Sequence, residues 1–115
     1  MDFNEYQKEA KDSSWHQHGA RTTHSIEEVA FHSIALCGEV GEVANLVKKM
    51  MRGDVDFSDY NERLKIADEM GDALWYMGRL ADEIGVSLSQ IAEMNLRKIR
   101  NRKANVDFPM ERILE

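Results

Sequence analysis

Apolar positions recur at helical spacing along almost the whole chain. Phe3, Tyr6 and Ala10 share one face of a short first helix that ends before Ser13-Ser14, and a His-rich connection runs from Trp15 to His24. Ser25 stands three residues before Glu28, the spacing of a capping box, and opens a second helix. Its stripe of Ile26, Val29, Ser33, Leu36, Val40, Val47 and Met51 runs to Arg52, where Gly53-Asp54 supplies a stop. Asp59 with Glu62 opens a third helix, striped by Ile66, Met70, Ala73, Met77, Leu80, Ala81 and Ile84, that ends at Gly85. Ser87 with Gln90 caps a fourth, carrying Leu88, Ile91, Met94 or Asn95, and Ile99. Asn105 to Pro109 then reads as a loop into a short terminal turn.

One proline and no hairpin punctuation leave strands without support, so the fold class expected is all-α, a bundle of four to five helices. At 115 residues the chain is about one domain, expected to span 1–115. Two long helices present more apolar surface than the short ones can cover, which predicts a homodimer or a dimer of dimers; seven methionines supply adaptable filler.

Charge narrows the partners. Fifteen basic residues against twenty-one acidic ones give −6, which disfavours capture of nucleic acid polymers. The basic stretch Arg97 to Lys103 fits a helix end whose cations favour the dipole. No apolar run reaches the roughly 18 residues of a membrane span and the start lacks signal-peptide character, so a cytoplasmic location is expected. Cys37, among helical apolar neighbours, reads as a small buried hydrophobe.

The informative chemistry is a pair of acidic doublets, Glu39 with Glu42 and Glu69 with Asp72. Residues three apart lie about 60° apart on a helix, so each doublet presents two carboxylates on one face beside the core stripe. Crowded, poorly solvated like charges raise one another's pKa unless cations neutralise them. An all-oxygen donor set selects magnesium or manganese, whereas a di-iron site normally needs a Glu-x-x-His that neither doublet contains. The competing explanation is an acidic surface edge, with Glu42 facing Lys49 two turns on. Gly38, Gly41 and Gly71 lie beside the acids inside helices, where each costs about 1 kcal/mol relative to alanine. Either close helix packing or a ligand that needs room offsets that cost.

With Asn4-Glu5-Tyr6-Gln7 near the start, Gly38-Glu39-Val40-Gly41-Glu42 and Glu69-Met70-Gly71-Asp72 in order, and Asn95-Leu96-Arg97-Lys98 downstream, the chain resembles the MazG-like all-alpha nucleoside triphosphate pyrophosphohydrolases. The resemblance implies that Glu39, Glu42, Glu69 and Asp72 bind magnesium, and that a nucleoside triphosphate is cut between its α and β phosphates to a monophosphate and pyrophosphate. Glu39 is the carboxylate assigned to take the water's proton. Asn95, Lys98 and Arg102 match the family's N-x-x-K-x-x-x-R stretch and are assigned to the phosphates. Lys103-Ala104 stands where many members have Tyr-Pro, which weakens the case for Arg102 alone.

Tyr76 falls angularly between Glu69 and Asp72, one turn on, where its ring could stack on the base. Trp75 points about 100° away and reads as packing. Trp15, His16 and His18 could form a lid or, more simply, an exposed loop, and His32 reads as a surface partner of Glu28. General clearance of unwanted nucleotides, a narrow dCTP- or dUTP-directed activity, and a catalytically silent helical dimerisation module all remain open at this level.

Overall fold

The computed structural model describes residues 1–14 and 25–104. Four helices account for nearly all of them: α1 Phe3–Asp12, α2 Ile26–Met51, α3 Tyr60–Ile84 and α4 Leu88–Ala104, with no strand among the described residues. The expected connection of Trp15 to His24 and the turn after Asn105 lie outside them. Among the described residues no helix is long and apolar enough to cross a membrane.

Each boundary has a local cause. Asp2 accepts from the Glu5 backbone N–H at 2.8 Å, Ser25 from Glu28 at 3.2 Å and Asp59 from Asn61 at 2.9 Å, which satisfies first-turn donors that have no intrahelical partner. At α4 the box is reciprocal: Ser87 Oγ accepts from the Gln90 N–H, and Gln90 Oε1 accepts from the Ser87 N–H. Gly53 and Gly85 stop α2 and α3 with φ of 82° and 78°, a left-handed conformation that a Cβ penalises.

The α2 and α3 helices run antiparallel and form the main packing unit, with Leu36 near Met77 towards one end and Leu46 near Asn61 towards the other. The α1 helix packs on α3 and touches α4. Leu88, 5% exposed, sits against Gly78, where an added methyl group would lie 3.6 Å from its Cδ1. From Glu93 to Ala104, α4 is exposed on all sides.

This arrangement has almost no dry interior. Among the described residues the buried apolar side chains are Ala10, Ala81 and Leu88, while Ile34, Val40, Met51, Met70 and Met94 are more than half exposed. Much of the α2 and α3 stripes read as core therefore faces outward in the single chain, while Ala10, Ala81 and Leu88 are buried as their stripes predict. Cys37 is also exposed, contrary to the expectation of burial: it lies one helical position from the packed side of α2. His32 departs in the opposite direction. It is fully buried, its Nδ1–H donating to the Glu28 carbonyl at 2.7 Å with the Glu28 carboxylate 3.7 Å away, so it is no surface pair. Tyr76 of α3 lies beside the His32 ring, with centroids 6.2 Å apart.

Candidate metal centre

Antiparallel packing brings the α3 doublet against one member of the α2 doublet. Glu39 from α2 and Glu69 and Asp72 from α3 each offer a carboxylate oxygen, all within 4.8 Å of one another. Glu39 and Glu69 are half-buried at the helix contact and Asp72 is exposed. Glu42 lies outside this triplet and is exposed, but its charge still bears on both glutamates.

The electrostatics follow from that crowding. Loss of solvent and then the charges of Asp72 and Glu42 push the Glu39 carboxyl above its ordinary 4.5. Glu69 is raised in the same way, by desolvation first and then by Asp72, Glu42, Glu39 and Asp68. Among the described residues no lysine or arginine forms an ion pair with the triplet. An octahedral magnesium sphere at about 2.1 Å holds its oxygens roughly 3–4 Å apart, so modest torsions would close the triplet on a hard divalent ion, and the oxygen-only donor set suits one.

Beside the triplet is a cavity of about 310 Å³ lined by Glu39, Asp72, Trp75 and Tyr76. Tyr76 is placed as the spacing predicted. Trp75 is there too, and lines this space as well as packing at a helix contact. Its ring meets Tyr76 edge-on at 5.0 Å, and its Nε1–H donates to Ser13 Oγ at 3.1 Å, which turns it towards α1. Phe31 and His32 back Tyr76 with centroids at 6.5 and 6.2 Å. A helical wheel assigns direction to Cβ, but an indole reaches well beyond it, so no local signal marks Trp75 as lining this space.

Tyr6 was quoted in the sequence motif without a role. It comes from α1 close enough to Asp72 for that charge, after burial, to raise its phenol above 10.0. Only a contact between helices far apart in sequence reveals this.

Asn95, Lys98 and Arg102 are placed differently from the carboxylates. They lie on the exposed length of α4, whose packing is on α1 and not on the α2–α3 pair to any similar extent. The glycines also separate two accounts. A Cβ at Gly38, Gly41 or Gly71 would meet nothing within 4 Å, so close packing inside one chain does not explain them.

The sequence pattern of the MazG nucleotide pyrophosphohydrolase domain matches residues 31–107, which covers most of the second helix, all of the third and fourth, and both acidic doublets. The chain belongs to the MazG family. It is also 37% identical over 98 residues to the Gene 37 protein of Mycobacterium phage L5, covering 85% of each chain. No solved structure matches.

Proposed function

We propose that this MazG-family chain is a magnesium-dependent pyrophosphohydrolase that converts nucleoside triphosphates or their deoxy forms to monophosphates and pyrophosphate and so clears unwanted nucleotides. The observation that carries it is the convergence of Glu39, Glu69 and Asp72 within 4.8 Å, with no ion pair to a lysine or arginine among the described residues, beside a cavity lined by Trp75 and Tyr76.

Magnesium, or manganese in its place, would be held by these three with Glu42 as the fourth carboxylate, and it would neutralise phosphate oxygens and acidify the attacking water. Everything else falls to the chain. Glu39, its proton affinity raised by lost solvent and then by its acidic neighbours, accepts the water's proton as the bond between the α and β phosphates breaks. Asn95 and Lys98, with Arg102 beyond them, hold the phosphates, the lysine as a point charge and the arginine as a fork. Tyr76 and Trp75 offer ring faces to the base.

The active form contains at least two copies. A groove of about 580 Å³ on the α2–α3 pair, lined by Leu36, Val40, Val43, Met70, Leu74 and Met77, with Gly71 in its wall, is too apolar to remain open in water. A second copy seated there supplies the burial that three buried apolar side chains do not, and Gly71 gives it room for close approach.

The deciding experiment is a turnover screen over standard and modified triphosphates with magnesium or with EDTA, separating pyrophosphate from orthophosphate. Metal-dependent pyrophosphate release is expected; none from any triphosphate overturns the reading.

A further inference from the structure

Gln7 makes three hydrogen bonds across the fold. Its Nε2 donates to Asp82 Oδ1 at 2.8 Å and to the Val86 carbonyl at 3.0 Å, and its Oε1 accepts from the Leu88 backbone N–H at 2.7 Å. The side chain is 7% exposed. Asp82 is fixed in turn by Arg79, whose Nη1 donates to its other oxygen at 2.8 Å. One amide from α1 therefore ties together the end of α3, the turn and the first residue of α4. It also satisfies a first-turn donor that the Ser87 cap does not reach.

That position is a pivot. Beyond Glu93 nothing in the described chain encloses α4, so within one chain its course is set by its first turns, where it meets α1 and the Gln7 amide. Lys98 is ten residues from Leu88, about 15 Å along the axis at 1.5 Å per residue, so a 10° tilt at the turn would displace it by about 2.5 Å. A shift of that size separates a phosphate contact from none.

We infer that Gln7 is a positioning residue that aims the phosphate-contacting face of α4, Asn95 and Lys98; this rests on the pyrophosphohydrolase reading above. Its amide is suited to the task because it must donate to a carboxylate and a carbonyl while accepting from an N–H, which neither glutamate nor methionine can do.

The test compares wild type, Gln7→Met, Lys98→Ala and the double variant in steady-state turnover of a triphosphate with magnesium, together with hydrogen exchange of the α4 amides. Gln7→Met is expected to raise KM about tenfold with kcat changed less than about twofold, to leave the magnesium-induced rise in melting temperature intact, and to add nothing to Lys98→Ala. Exchange should quicken in 88–98 and not in α2. If Gln7→Met merely loosens the fold, Gln7→Glu with Asp82→Asn, which reverses the donor and acceptor across that contact, should recover more KM than Gln7→Glu alone. An unchanged KM, multiplicative losses in the double variant, or no recovery overturns the inference. Wild-type protein without turnover overturns the reading beneath it, and exchange at 88–98 still decides whether Gln7 fixes α4.

Discussion

Glu69 carries the clearest residue-scale expectation, because four other carboxylates act on it. Glu69→Gln keeps the shape and removes one charge, so turnover should fall on the order of 10²-fold or more while the metal-free protein melts at the same or a higher temperature. Marked unfolding of that variant would point to a structural role. The pH dependence has a definite sign. Glu39 and Glu69 bind protons more tightly folded than the 4.5 of an unconstrained glutamate, so their contribution to stability is complete below that value and is lost as pH rises through the raised values. Without metal, wild type should lose melting temperature relative to Glu69→Gln as pH rises above the ordinary glutamate value of 4.5. With magnesium the wild-type trend should reverse, since the ion competes with protons for the same oxygens. The doublets were legible in sequence because three-residue spacing fixes a shared face. Trp75 and Tyr6 were not, because their placement depends on which helix lies opposite.

The elements were legible for a different reason: their ends are written in side chains that act within four residues. Ser25, Asp59, Ser87 and Gly85 each mark a boundary where the structure has one. Gly85→Ala forces a Cβ into a left-handed residue and should cost about 1 kcal/mol or slightly more, lowering the melting temperature by about 4 °C or more. Thermal unfolding followed by circular dichroism checks it. Ser87→Ala should cost about 1 kcal/mol through the lost cap on Gln90. Which face of each helix becomes interior was not readable. The stripes of Val40 and Met70 have the period of core positions, yet periodicity does not say whether the covering surface belongs to the same chain.

At the scale of the whole molecule, the exposed groove between α2 and α3 and the nearly absent dry interior are what the proposed association with a second copy rests on. Met70→Glu places an unpaired charge in the proposed contact and should weaken self-association at least ~100-fold, read as a shift to monomer in sedimentation velocity. A variant that sediments as wild type would remove this face from the interface. The proposed function depends on three negative groups from two helices, Glu39, Glu69 and Asp72, sharing one centre. The most direct measurement is titration of manganese into the protein followed by electron paramagnetic resonance of the free ion. Wild type should deplete the free signal stoichiometrically, and Glu39→Gln combined with Asp72→Asn should leave it near that of buffer. Equal depletion by both proteins, or none by wild type, would contradict the account.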